Sequence, residues 1–77
     1  MYYIFVLSSV TYAMKAKEIL FEYGINTSIE KVKRQYTQRG CSYGVIVKAN
    51  DVESARQLLS KSGIKVFNVF AYEDSMR

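Results

Sequence analysis

Apolar residues recur along this chain with two different periods. Tyr2-Tyr3-Ile4-Phe5-Val6-Leu7 is an unbroken aromatic and branched-aliphatic run of strand length. From Val10 to Tyr23 the spacing turns helical. Ala13, Ala16, Leu20 and Tyr23 fall on one stripe, and Lys15, Glu18 and Glu22 fall elsewhere. Ser8 or Ser9 is placed to accept an orphan amide of the first turn, and Gly24 suits a left-handed cap at the other end. Ile25 to Val32 reads as a weaker strand with polar alternation, residues 33–41 as a loop, and Tyr43 to Lys48 as a clear strand. Asn50, with Glu53 three residues on, predicts a capping box that opens a second helix. The apolar stripe of that helix is Val52, Ala55, Leu58 and Leu59, and Gly63 ends it. Val66 to Tyr72 is the last strand, and residues 73–77 are a polar tail. The two halves echo each other, since each has a helix ending in Gly-Ile (Gly24-Ile25 and Gly63-Ile64) before a strand.

The order β-α-β-β-α-β predicts an α+β domain of ferredoxin-like type: a four-stranded antiparallel sheet with both helices on one face. In its usual strand order the loop between the second and third strands lies at one end of the sheet. The first strand feeds the first helix at that same end. Cys41 and its neighbours are therefore expected near Ser8 and Ser9. Lys48 should avoid the covered face, which turns Tyr43, Val45 and Val47 toward the helices and Gly44 and Ile46 away. Polar Asn68 assigns Val66, Asn68, Phe70 and Tyr72 to the open face, and Tyr3, Phe5 and Leu7 are assigned there too. Such a face would expose several large apolar side chains, so a homodimer built on it is expected.

Composition narrows the class. Seventy-seven residues make one domain, 1–77, with a small core. Hydrophobic residues at 49%, charged residues at 23% and a mean hydropathy of −0.08 describe a folded water-soluble chain rather than a disordered one. No apolar run approaches the ~18 residues of a membrane span. Residues 1–7 lack the basic region and cleavage site of a signal peptide. A single cysteine makes no internal disulfide, so a reducing cytoplasm is expected. The chain has no histidine. That excludes a zinc site built from its own N and S ligands and any Ser-His or Cys-His pair. No metal and no cofactor are expected. The net charge is +4, and Lys31, Lys33, Arg34 and Arg39 account for all of it, with no acid among residues 31–39. A segment of that kind is either a solvated loop or a site that attracts anions.

The candidate chemistry centres on Arg39-Gly40-Cys41-Ser42-Tyr43-Gly44. A thiol reacts as the thiolate, and nearby cations or a helix N-terminus lower its pKa. Lys33, Arg34 and Arg39 are near Cys41 in sequence. Ser8 and Ser9 are expected near it in space, as anion-stabilising groups at the start of the first helix. Gly40 and Gly44 would let backbone approach whatever the sulfur holds. The alternative reading is a buried cysteine that packs as a small hydrophobe.

Over roughly residues 3–72 the chain resembles the small bacterial selenium/sulfur carrier-like proteins. The resemblance rests on the apolar first strand and on Ser9-Val10-Thr11-Tyr12-Ala13-Met14-Lys15-Ala16-Lys17-Glu18-Ile19-Leu20. It continues through Gly24-Ile25, the basic stretch, and the single cysteine opening the next strand. Ser42 stands where glycine is common in that family. The resemblance implies that Cys41 accepts sulfur or selenium as a persulfide or selenosulfide. It would do so as a carrier rather than as an enzyme with its own turnover. A donor such as a cysteine desulfurase and a separate acceptor protein are implied as partners.

Two other readings compete. The same element order is shared by RNA recognition motifs. Ile4-Phe5-Val6-Leu7 is similar to their first-strand motif, with Phe5 as the base-stacking aromatic, and Arg39-Gly40 begins like their third-strand motif. Against that, the third strand offers only Tyr43 as an aromatic, and parity turns it inward. The third reading is a small protein-interaction domain that uses the sheet face and ignores Cys41.

Overall fold

The computed structural model describes residues 1–32 and 42–72. Its elements are β1 (Tyr2–Leu7), α1 (Val10–Glu22), β2 (Ser28–Val32), β3 (Ser42–Lys48), α2 (Val52–Lys61) and β4 (Asn68–Tyr72). All four strands join in one antiparallel sheet, ordered β2-β3-β1-β4. With two helices in the order β-α-β-β-α-β, this is the expected ferredoxin-like α+β architecture. No helix among the described residues is long and apolar enough to cross a membrane.

β1 occupies a central position because it is apolar on both faces. A strand buried on both sides reads as a continuous hydrophobic run rather than an alternating one. Phe5 lies opposite Val45 of β3 and Val69 of β4, and Ile4 lies opposite Ile46 and Phe70. Directly opposed residues share a face, so the odd and even positions of β1 enter different cores. Phe5 and Leu7 join Val45, Val47, Ala13, Ala16, Leu20, Ala55 and Leu59 under the helices, with Tyr3 packed against them. Ile4 and Val6 join Val32 and Ile46 on the helix-free face, where Tyr2, Phe67 and Phe70 pack over them.

This corrects part of the expected parity. Tyr3, Phe5 and Leu7 face the helices, not the open side, and Val66 also packs on the helix side. β1 has no polar residue to betray its orientation; only the register with its neighbours decides it. Where a polar marker existed the expectation holds. Val45 and Val47 point inward and Ile46 outward, and Phe70 lies on the helix-free face. On that face Ile4, Val6 and Ile46 are each no more than 8% exposed, and the partly buried Tyr2, Phe67 and Phe70 pack over them.

Both helices end in the same way. Gly24 and Gly63 have positive φ, 82° and 78°. The Ile25 amide donates to the Leu20 carbonyl at 2.9 Å and the Gly24 amide to Phe21 at 3.0 Å. The second helix repeats this, with Ile64 to Leu59 at 3.0 Å and Gly63 to Ser60 at 3.1 Å. This is the Schellman pattern, which satisfies the last carbonyls and drives the residue after glycine back onto the helix. Ile25 and Ile64 are accordingly buried beside Leu20 and Leu59. The Gly-Ile echo is this motif used twice.

Other details differ from expectation at element ends. Tyr23 is the C-cap of α1 and is exposed, so the buried stripe stops at Leu20. β2 starts at Ser28 and β4 at Asn68, because the residues between each Schellman turn and its strand run as irregular connectors. The capping box from Asn50 to Glu53 does not form. A single 3₁₀ turn, Ala49–Asp51, precedes α2, and Asp51 stands at the N-cap with no side-chain cap hydrogen bond.

Gly44 fixes the closest approach between β1 and β3. A Cβ there would lie 2.7 Å from Ile4 Cγ1 and 2.8 Å from the Phe5 carbonyl oxygen. Gly44→Ala should therefore destabilise the fold by about 1–3 kcal/mol, read from the urea midpoint. Adding Ile4→Val should recover part of the loss, since it removes the Ile4 Cδ1 that the new Cβ would meet at 2.9 Å while leaving the Cγ1 and backbone contacts in place. Thr27 tests the opposite sign. Its hydroxyl oxygen is buried without a hydrogen-bond partner. Thr27→Val removes that unsatisfied group at nearly constant shape and should leave stability unchanged or raise it by up to ~1 kcal/mol. A midpoint lower than wild type would contradict this.

Candidate functional site

β3 begins where β1 ends. Leu7 is opposite Tyr43, and Val32 is opposite Ser42. The chain therefore leaves β2 and enters β3 at the end of the sheet where Leu7 passes into Ser8 and Ser9. That juxtaposition of the β1–α1 junction with the start of β3 is the arrangement expected from topology. Lys33, Arg34, Arg39, Gly40 and Cys41 lie outside the described residues, as does the expected loop 33–41.

Ser9 is the N-cap of α1. Its backbone is extended (φ −156°, ψ 166°), and the Tyr12 amide donates to its Oγ at 3.4 Å. The Ala13 amide donates to its carbonyl at 3.1 Å. Serine succeeds here because its short side chain folds back onto an amide that the helix cannot satisfy. Ser8, also half-buried, precedes it. The first turn of α1 carries no acidic residue, so none of its own side chains offsets the partial positive charge of the helix start. Lys31, exposed and opposite Tyr43 at the end of β2, adds a cation at the same end.

Gly44 sits two residues inside β3, opposite both Val6 and Glu30, on the helix-free face. The room left by its missing side chain is occupied by Ile4. Its described role is thus close packing between strands. The steric demand for glycine here comes from β1, about forty residues away in sequence.

The nucleic-acid reading loses its stacking residue. Phe5 is fully buried beneath the helices and presents no ring to a base. Outward-facing Ile46 and Gly44 supply no aromatic in its place.

A family model described as "Putative Se/S carrier protein-like" matches residues 2–71. No curated protein and no solved structure is significantly similar to the chain.

The role of Ser9 separates into two measurable parts. Ser9→Ala removes the cap and should cost about 0.5–1 kcal/mol in chemical unfolding, with Ser8→Ala costing less. Ser9→Asp keeps an acceptor for the Tyr12 amide and adds a favourable charge at the helix start, so stability should return to wild type or exceed it. Equal losses for Ser9→Ala and Ser9→Asp would show that capping is not what Ser9 contributes.

Proposed function

Because the chain belongs to the Se/S carrier protein-like family, we propose that Cys41 is its cargo residue, holding sulfur or selenium between a donor and an acceptor protein. The observation that carries this reading is the family match itself, which runs from residue 2 to residue 71 and so spans Cys41. The absence of any second cysteine or histidine agrees with a carrier that borrows its chemistry from partners.

The step is a thiol exchange. The Cys41 thiolate attacks the outer sulfur of a donor persulfide, such as that of a cysteine desulfurase. A new S–S bond forms on Cys41, the donor's own S–S bond breaks, and the donor cysteine leaves as a thiolate. One sulfane sulfur moves and no net oxidation occurs. Selenium would move in the same way to give a selenosulfide. Release reverses the step toward an acceptor thiolate. Lys33, Arg34 and Arg39 would favour the anionic forms, and the uncompensated helix start at Ser8 and Ser9 would add to that field. Gly40 would leave the backbone beside the sulfur unobstructed. A cytoplasmic setting, where thiols stay reduced, suits such an exchange.

Incubation with a cysteine desulfurase and cysteine should add the mass of one sulfur atom to the wild type and nothing to Cys41→Ser. Equal addition to both, or none to the wild type, would defeat the proposal. Neutralising Lys33, Arg34 and Arg39 together should move the pH profile of Cys41 alkylation to higher pH. An unmoved profile would show that those cations do not act on the thiol.

A further inference from the structure

Between the second half of α2 and the connector that follows it lies an open cleft of about 410 Å³, lined by Arg56, Ser60, Gly63, Ile64, Lys65 and Val66. A neighbouring hollow of about 460 Å³ shares Arg56 and Ser60 and continues along the outer face of α2, where Lys61 and Glu53 also line it. Arg56, Lys61 and Lys65 are exposed, and none of them makes an ion pair among the described residues. Lys65 Nζ stands over the Phe67 ring, a cation–π contact that restrains its side chain. Ile64 is buried and Val66 half-buried, so the floor of the cleft is apolar. The connector ends beside the end of β1, since the Phe67 amide donates to the Val6 carbonyl and Asn68 lies opposite Val6. Lys31 belongs to the same end of the sheet, opposite Tyr43, which is itself opposite Leu7. Among the described residues the acid at this end is Glu30, opposite Gly44 on the far rim strand and on the helix-free face, whereas the cleft is on the helix side. Glu22 closes α1 and Asp51 and Glu53 open α2, which places them toward the opposite end.

We propose that this cleft receives an extended acidic segment of a partner protein. The choice of occupant follows from charge and spacing. Arg56 and Lys61 are about 7.5 Å apart along the helix, and Lys65 comes from the connector on the other side of the cleft. Cations spread in this way match successive carboxylates on one chain, whereas a single phosphate is held by donors that converge on it. None of the lining residues is aromatic, so a nucleic acid would find no ring on which to stack its bases. Lys61 lies in the last turn of α2 and complements the helix dipole. Arg56, more than a turn earlier, has no such duty. Exposed cations contribute little one by one, so the contact is weak, salt-sensitive and of most use in steering the partner toward this end of the sheet. The inference is independent of what Cys41 carries.

Fluorescence anisotropy with a labelled octaglutamate peptide at low salt should show saturable binding to the wild type. Arg56→Gln with Lys65→Gln should weaken it about tenfold, and Arg56→Gln alone about threefold. Arg56 is exposed and unpaired among the described residues, so its variant should keep the wild-type urea midpoint. Lys15→Gln with Lys17→Gln removes the same net charge from exposed positions of α1 and should cost less than about twofold. Amide resonances of Ser60, Gly63 and Lys65 should move during the titration. Equal losses for the cleft pair and the α1 pair would reduce the effect to net charge and overturn the proposal. So would displacement of the peptide by inorganic phosphate at matched ionic strength, or tighter binding of octauridylate through the same residues.

Discussion

Everything in this small fold depends on a central strand that is apolar on both faces. β1 brings Phe5 and Leu7 to one core and Ile4 and Val6 to the other. Each set must be covered, and the chain meets the demand asymmetrically. The helices cover one side through Ala13, Ala16, Leu20, Ala55 and Leu59. Among the described residues, Tyr2, Phe67 and Phe70 pack on the other. The small alanines let the helix backbones approach the sheet, while the aromatic rings span distance where no helix is available. The Phe67 amide donates to the Val6 carbonyl at 2.9 Å, and Lys65 Nζ stands 5.1 Å from the Phe67 ring centroid. The connector before β4 is thereby tied to the side that the helices leave bare.

The close passage of β1 over Gly44 and the paired Schellman turns set the remaining geometry. Ile4 fills the space above Gly44, which holds β1 and β3 in one register. That register in turn brings Leu7 level with Tyr43 and delivers the end of β1, the N-terminus of α1 and the beginning of β3 to one pole of the sheet. The helix start at that pole has no acidic side chain in its first turn. The packing of a glycine and an isoleucine therefore fixes where β1 ends relative to the start of β3.

Much of this was legible in the sequence because polar residues marked it. Lys48 and Asn68 oriented their strands correctly, and the Gly-Ile pairs identified both helix ends. β1 was misread because six apolar residues contain no cue to which face is which; orientation there is a property of pairing, not of the strand. The capping box failed because Asn50 entered a 3₁₀ turn and passed the N-cap to Asp51. Tyr23 satisfied helical periodicity yet fell at the cap, where the helix no longer faces the sheet. At the candidate site, the nearness of Ser8 and Ser9 to the start of β3 followed from topology alone. The steric demand on Gly44 comes from a strand remote in sequence, which no local pattern reveals.

The sheet order leaves β2 and β4 as its two rims, and they are defended unequally. β2 carries Glu30 and Lys31 within its five residues, and side chains of that kind discourage a foreign strand from adding to an open ladder. β4 reads Asn-Val-Phe-Ala-Tyr, with no charge inside it. Its nearest charges in the chain are Lys65 before it and Glu73-Asp74 after it. An uncharged run bracketed in sequence by charges is the pattern by which natural chains discourage intermolecular strand addition at an unavoidable apolar strand.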